Sequence, residues 1–322
     1  MRNSPPKPEI ESIAIAAPGS PRREPEFRAL IRALRPKQWL KNGTVFLAFV
    51  FSIRQAWQPF HPDTWLPLVG RSALAVVAFS LVASAEYLVN DLRDVDADRL
   101  HPRKRLRPLA AGTLRPHVAL VTAVLFAGIG LSVGGLLSWP FGLVLLAYAS
   151  TSLAYSYALK HLVIVDVLTV AVGFVLRAVG GAVVIGVPVS PWLYLCTILG
   201  ALFIAITRRR HEMSLLGDGR GAHRPILDEY SPELLEQMTS VVTAATVVSY
   251  SLYTVEATNL PSNHAMLATV PFVLYGVFRY LLLVDTREHG GSPEEVLLRD
   301  RPLLIDIGLW LLSAAAILVI FR

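Results

Sequence analysis

The chain has 322 residues, of which 53% are hydrophobic, a net charge of +6 and a mean hydropathy of +0.50. This composition excludes an ordinary soluble domain, which would carry fewer apolar residues at this length. The single cysteine, Cys196, excludes a disulfide framework. The basic charge needs no nucleic acid to explain it, because bases beside an anionic membrane surface account for it.

The first 27 residues are rich in Pro, Arg and Glu and contain one short apolar patch, IAIAA. That patch is too short for the core of a signal peptide. We therefore expect a disordered cytoplasmic tail over residues 1–30 and a single transmembrane catalytic domain over residues 31–322.

Beyond the tail, the apolar residues come in blocks of about 17–25, the length at which a helix crosses a bilayer. The blocks predict an all-α polytopic membrane protein with about nine transmembrane helices. The expected spans are about 43–60, 68–90, 117–136, 139–157, 161–186, 191–207, 238–257, 265–284 and 303–321.

Basic residues are divided unevenly between the two sets of connecting segments. The tail and the polar loops hold 25 of the 30 Lys and Arg residues, whereas the opposite set holds three. An excess of bases marks the cytoplasmic side. We expect a cell membrane protein with the N-terminus and the functional site in the cytoplasm and the C-terminus outside.

Residues 90–98, NDLRDVDAD, follow the second predicted span. If that helix continues to about residue 99, one 100° arc holds an amide, three carboxylates and a phenol. These belong to Asn90, Asp91, Asp94, Asp98 and Tyr87, and Asp96 falls on the opposite side. Oxygen ligands of this kind suit Mg²⁺. We predict metal binding by Asn90, Asp91, Asp94 and Asp98; the alternative is a solvated helix end paired with the following bases.

The bases follow at once as HPRKRLRP, residues 101–108. Metal ligands beside several cations are what a diphosphate requires, because the metal takes some of its oxygens and Arg or Lys takes others. Lys104 and Arg107 are candidates for this role. The next residues, AAG, predict a tight turn into the third span.

The motif NDLRDVDADR resembles the first aspartate motif of the UbiA superfamily of intramembrane prenyltransferases. Four further segments resemble its decaprenyl-phosphate phosphoribosyltransferase branch: RPKQWLKN (35–42), YSYALK (155–160), GDGRGAHRPILDEYSPELLEQ (217–237) and GGSPEEVLLRDRPLL (290–304). Aromatic members of the superfamily carry a second aspartate motif after the sixth span. This chain has TRRRHEMSLLGDG there instead, which favours binding of a further phosphate.

The resemblance implies a UbiA-like helical bundle and Mg²⁺-dependent transfer of 5-phosphoribosyl from phosphoribosyl diphosphate to a polyprenyl phosphate, in cell-wall arabinan precursor synthesis. It implies catalytic roles for Asp91, Asp94 and Asp98, with ribose positioning as the alternative for Asp98. The implied substrate-binding residues are Lys41, Asn42, Tyr87, Lys104, Arg107, Tyr155, Lys160, Arg177 and Arg208. His223 and Arg224 are expected in a lid.

Alternatives exist for several of these residues. Lys41 is otherwise a snorkelling anchor, Tyr87 an interfacial aromatic, and Arg208 a simple partner of Glu212 four residues on. Tyr157 competes with Tyr155. Two rival functions are an aromatic prenyltransferase that uses a polyprenyl diphosphate and a lipid-phosphate transporter or scaffold. A homo-oligomer is compatible with the sequence, which does not determine the oligomeric state.

Overall fold

A computed structural model describes residues 25–100, 104–216, 225–286, 296 and 299–322. Most of the predicted tail and the predicted lid residues His223 and Arg224 lie outside these ranges. The α-helices within them are α1 (Glu26–Leu34), α2 (Phe46–Phe51), α3 (Pro62–Arg93), α4 (Val95–Leu100), α5 (Pro116–Leu137), α6 (Trp139–Tyr157), α7 (Val165–Ile185), α8 (Pro191–Leu216), α9 (Pro232–Glu256), α10 (Val270–Thr286) and α11 (Arg301–Phe321).

Helix α5 packs through small residues and turns large ones outward. On α5, the buried positions include Ala119, Ala123 and Gly130, while Leu125 and Ile129 are more than half exposed. A Cβ atom added to Gly130 would lie 2.9 Å from a methyl group of Val82 on α3, so the two helices approach closely only because residue 130 is glycine. Small residues inside and large apolar residues outside are typical of helices that face lipid.

Seven of the described helices are long and apolar enough to cross a membrane, namely α3, α5 and α7–α11. The predicted all-α class is confirmed, but the count of nine is not. Trp139–Tyr157 forms a helix of 19 residues that is less apolar than the seven. The predicted span 43–60 is not one helix.

The region of that first span begins as a 3-10 helix, Pro36–Val45, and continues as the short helix α2. Residues 52–57 then turn back, with Arg54 in the left-handed region and Trp57 stacked on Phe49 at 4.6 Å between ring centroids. Hydropathy alone does not detect this break, which follows from the helix-poor pair Asn42–Gly43 and from the turn.

Two further boundaries differ from those expected. Helix α1 begins at Glu26 and buries Ala29 and Ala33 against α3, so the folded region starts before residue 31. The second predicted helix does not continue unbroken to residue 99, because Asp94 leaves helical geometry (φ −90°, ψ 9°) before α4 begins. As expected from AAG, Gly112 takes a positive φ of 71° in the turn before α5.

Successive helices pack side by side, and α11 returns to α2. Arg322 strengthens this closure by donating to the carbonyl oxygens of Phe51 and Ile53 at 3.1 and 2.8 Å. One end of the bundle gathers the polar segments 36–42, 90–100, 104–107, 155–166 and 208–212, and we call it the polar end.

Candidate active site

The 3-10 helix Pro36–Val45 carries Lys41 and Asn42 into the polar end. It lies against α7, where a Cβ atom on Gly181 would overlap the carbonyl oxygen of Val45. Residue 181 must therefore lack a side chain for the segment to sit this close. Asn42 is 1% exposed as a result.

Arg177 of α7 holds Asn42 in place. Its Nε donates to the amide oxygen of Asn42 at 2.7 Å, its Nη1 to the carbonyl oxygen of Gly173 at 2.7 Å, and its Nη2 to the hydroxyl of Tyr148 at 2.8 Å. The amide nitrogen of Asn42 donates in turn to Ser80 at 2.8 Å. These contacts engage all three guanidinium nitrogens of Arg177 with the protein itself, so in this geometry Arg177 is a positioning residue for Asn42.

Lys41 sits among guanidinium groups. Burial, and then the charges of Arg208, Arg177 and Arg35, lower the pKa of Lys41 to about 7. Its ammonium donates to Gln38 at 2.7 Å. The guanidinium of Arg35 also lies 4.8 Å from the ring centroid of Tyr87, which is half-buried. Cations that repel one another at short range are stabilised by an anion bound among them. We call Arg35, Lys41, Arg177 and Arg208 the cation group.

Two of the predicted metal ligands pair with arginine. Asp91 and Asp98 are 2% and 3% exposed. Nη1 of Arg107 lies 3.1 Å from Asp91 and 2.7 Å from Asp98, and Nη2 of Arg35 lies 2.6 Å from Asp91. Asp91 therefore ties the end of α1 and the segment after α4 to α3, and Asp98 ties that segment to α4. Asp96, predicted to lie off the shared face, is exposed and pairs with Arg99 at 2.9 Å.

Asn90, on the last turn of α3, and Asp94, just beyond its end, are both half-buried. The structure brings Asp94 together with another predicted residue, since Nζ of Lys160 lies 3.6 Å from its carboxylate. The described residues hold no cluster of three or more His, Cys, Asp or Glu side chains arranged for a metal. An amide and a carboxylate one turn apart nonetheless fit Mg²⁺, which commonly takes one or two protein carboxylates and completes its shell with water and substrate phosphates.

A second buried cluster joins α7, α8 and the segment before α9. Nε of Arg209 donates to Asp166 at 2.8 Å and its Nη1 to Glu212 at 2.7 Å, while the hydroxyl of Tyr230 donates to Asp166 at 2.7 Å. Burial, then this hydrogen bond, raises the pKa of Tyr230 to about 12. The cluster fixes the C-terminal end of α8, from which Arg208 reaches the cation group.

The remaining predicted residues are distributed around these two clusters. The hydroxyl of Tyr155 accepts from Arg209 at 3.3 Å, and its competitor Tyr157 is exposed under Arg93, 4.4 Å from the ring centroid. Arg208 donates to Glu212 at 2.9 Å, as its alternative reading expected. Lys104 is half-buried in a short 3-10 helix, Lys104–Leu106. The preceding bases, at 101 and 103, lie outside the described ranges.

Sequence reasoning missed Arg35 and Asp166 as members of the site, and it placed Arg209 only within a basic segment expected to bind a further phosphate. Asp166 and Arg177 are eleven residues apart, which is about three helical turns, so both fall on one face of α7. A buried carboxylate at the start of a span and a charge within it were the available signals. Their partners come from other helices, and local sequence patterns do not predict contacts between helices.

Beneath the cation group lies a cavity of about 610 Å³, whose lining begins at Thr44, two residues after Asn42. Most of its wall is apolar or aromatic, and it extends to the opposite end of the bundle. Residues representative of its wall are Leu47, Phe51, Phe174, Trp192, Gly200 and Trp310. We call this cavity the apolar chamber.

A membrane-crossing helical bundle, with a cation group at its polar end and an apolar chamber below, defines a multi-pass membrane protein built to hold a molecule with an anionic head and an apolar tail. Residues 45–295 match the model of the UbiA prenyltransferase family. The chain belongs to this family of membrane transferases.

Two similar proteins are decaprenyl-phosphate phosphoribosyltransferases. The one from Mycobacterium tuberculosis is 32% identical over 287 residues, which is 89% of this chain and 93% of that protein. The one from Corynebacterium glutamicum is 37% identical over 287 residues, which is 87% of this chain and 84% of that protein. A UbiA homolog from Archaeoglobus fulgidus bound to GPP and Mg²⁺ has the same fold, with a TM-score of 0.67 at 20% identity over 91% of this chain and 100% of its own.

Proposed function

We propose that this protein transfers the 5-phosphoribosyl group of phosphoribosyl diphosphate to the phosphate of a polyprenyl phosphate, with decaprenyl phosphate as the acceptor that the relatives' names indicate. The observation that carries the proposal is that the cation group adjoins the apolar chamber, since Phe174 of the chamber wall has its ring centroid 5.5 Å from the guanidinium of Arg177. Two phosphorylated substrates meet in this reaction, one soluble and one with a long apolar tail. Cations suit the phosphates of both, and the chamber suits the tail.

In the proposed reaction, an oxygen of the acceptor phosphate forms a bond to C1 of the ribose. The bond from C1 to the diphosphate oxygen breaks, and its electron pair leaves with the diphosphate. No general base is required, since the acceptor phosphate is already ionised. Lys41, Arg35 and Arg208 bind and orient phosphate oxygens, and preorganised cations of this kind stabilise a leaving anion as its charge develops.

Asn90 and Asp94 would hold Mg²⁺ against the diphosphate, with Lys160 released from Asp94 to a phosphate. Bound there, the ion supplies Lewis-acid stabilisation of the leaving group. Asp91 and Asp98 act at a distance in this scheme, because Asp91 holds Arg35 and Arg107 beside α3 and Asp98 holds Arg107 beside α4. We also propose that the polar end faces the cytoplasm, which supplies the soluble sugar diphosphate; the excess of bases on this side supports the orientation.

The test uses the purified chain in nanodiscs with Mg²⁺, phosphoribosyl diphosphate and decaprenyl phosphate, and scores lipids by mass. We expect a phosphoribosylated lipid that disappears with EDTA and returns when Mg²⁺ is added in excess. Absence of this product from a folded preparation, with Mg²⁺ present, would refute the proposal.

A further inference from the structure

Glu86 is a buried carboxyl group to which neither the sequence motifs nor the reaction described above gives a role. It lies on α3 and is 9% exposed. Asn90 follows it by four residues, so the two side chains lie along one face of the helix, and Asp94 follows just beyond the end of α3. Glu86 is therefore one turn deeper in the bundle than Asn90.

The surroundings of Glu86 satisfy only part of its carboxyl group. Ser152 and Tyr148 of α6 lie beside its carboxyl group, and the charge of Arg177 is nearby. The Tyr148 hydroxyl accepts from Arg177 at 2.8 Å, which leaves its own proton for Glu86. One carboxyl oxygen, Oε1, is buried and has no hydrogen-bond partner in the part of the chain that the structure describes.

A buried acceptor without a donor destabilises a fold, and ionisable side chains inside membrane helices usually mark a substrate site. The missing partner must be a hydrogen-bond donor. Phosphate groups do not fit this role, since in their ionised form they offer no proton, and the cation group takes them. In phosphoribosyl diphosphate, the groups that remain are the ribose hydroxyls.

We propose that Oε1 of Glu86 accepts a hydrogen bond from a ribose hydroxyl of the donor substrate; this inference rests on the proposed function. One helical turn, about 5.4 Å, separates Glu86 from Asn90 along α3. That spacing matches the distance from a diphosphate at C1 to the hydroxyls of the same ribose. Glu86 then selects a sugar diphosphate over a prenyl diphosphate, which has no hydroxyl to offer.

The proposal is tested by combining a substitution of Glu86 with the removal of a hydroxyl group from the donor substrate. Wild type and Glu86→Leu are compared with phosphoribosyl diphosphate and with its 2-deoxy and 3-deoxy analogues, and kcat/KM is measured for each. A site that hydrogen-bonds a hydroxyl rejects the analogue that lacks it, so we expect wild type to lose at least about tenfold with one analogue. Glu86→Leu should lose much less on the same change of substrate.

The controls separate this role from a structural one. Asp96→Ala, on the exposed side of α4, should keep the wild-type discrimination. Glu86→Gln keeps an acceptor oxygen and should retain part of the wild-type discrimination between the natural donor and its deoxy analogue. Equal losses in wild type and Glu86→Leu would overturn the proposal, and so would a wild type that uses both deoxy analogues as well as the natural donor, even if Glu86→Leu does not fold. A wild type that makes no phosphoribosylated lipid refutes the proposed function itself, and the role of Glu86 falls with it.

Discussion

The guanidinium of Arg177 donates from Nε to the amide oxygen of Asn42 across 2.7 Å, although the two residues are 135 positions apart in the chain. This contact fixes the segment that carries Lys41 against α7. A lysine cannot reproduce the three-way geometry of the guanidinium.

We therefore expect Arg177→Lys to lower the free energy of unfolding by about 2–3 kcal/mol, since hydrogen bonds from a charged group are lost in a buried site. Unfolding in detergent, followed by circular dichroism at rising temperature, measures the change. A variant with wild-type stability and no activity would contradict the positioning role and indicate direct contact with substrate.

Arg107 bridges two buried carboxylates, Asp91 and Asp98. Arg107→Ala leaves Asp98 without this partner, and we expect the free energy of unfolding to fall by about 2 kcal/mol. This is less than the roughly 3–5 kcal/mol of a fully buried pair, because Arg107 is one quarter exposed. Arg105→Ala is the matched control, since Arg105 is exposed in the same loop. If both variants unfold like wild type, the ion pairs do not hold this segment in place.

Asp94 and Asp96 form a matched pair of acids with opposite surroundings. Asp94 is half-buried beside Lys160, whereas Asp96 is exposed beside Arg99. We expect Asp94→Ala to lower kcat by at least about 100-fold, as for the loss of a group that stabilises the leaving anion. Asp96→Ala should remain within about twofold of wild type. Steady-state assays of the two variants measure these effects. Equal inactivation would disprove the assignment of Asp94, and not Asp96, to the functional face.

Lys41 predicts a pH dependence of donor binding. Its pKa is lowered to about 7 in the free protein, and a bound phosphate raises that pKa again. Binding therefore takes up a proton above pH 7, so the KM for phosphoribosyl diphosphate should rise up to about tenfold per pH unit above 7.

The lowered pKa of Lys41 also makes the stability of the free protein depend on pH. The unfolded chain binds the extra proton between pH 7 and about 10.5, so this group makes unfolding more costly as the pH rises through that window.

Lys41→Arg provides the control, because a guanidinium stays charged throughout this range. The slope of log KM against pH should flatten in the variant between pH 7 and 9. An unchanged slope would assign the dependence to another group.

Gly200 lines the apolar chamber, and a Cβ atom added there would meet no other atom within 4 Å. A phenyl ring should therefore occupy the chamber without disturbing the helices. We expect Gly200→Phe to raise the KM for decaprenyl phosphate about tenfold, equivalent to about 1.4 kcal/mol, and to spare an acceptor with two isoprene units. Gly128→Phe, which adds the ring on the exposed side of α5 where space is equally open, should affect neither acceptor. Equal effects of the two substitutions would exclude the chamber as the tail site.

The helical class could be predicted from the sequence because apolar blocks of bilayer length have few other solutions. The break at residues 36–57 could not, since hydropathy does not register the helix-poor pair Asn42–Gly43, the turn at residues 52–57 or the fit of the 3-10 helix to Gly181. Within the site, helical periodicity correctly separated the exposed Asp96 from the buried Asp91 and Asp98. It could not show that Arg107 and Arg35 pair with those two acids, because a partner on another segment leaves no trace in local spacing.

The most direct measurement of the central claim follows the release of labelled diphosphate from two donors by one nanodisc preparation. Phosphoribosyl diphosphate is supplied with decaprenyl phosphate, and a prenyl diphosphate is supplied in parallel with an aromatic acid. We predict release from the phosphoribosyl donor alone, dependent on the lipid phosphate and abolished by Asp94→Ala. Release from the prenyl diphosphate with formation of a prenylated ring, and none from the phosphoribosyl donor, would contradict the account and indicate an aromatic prenyltransferase.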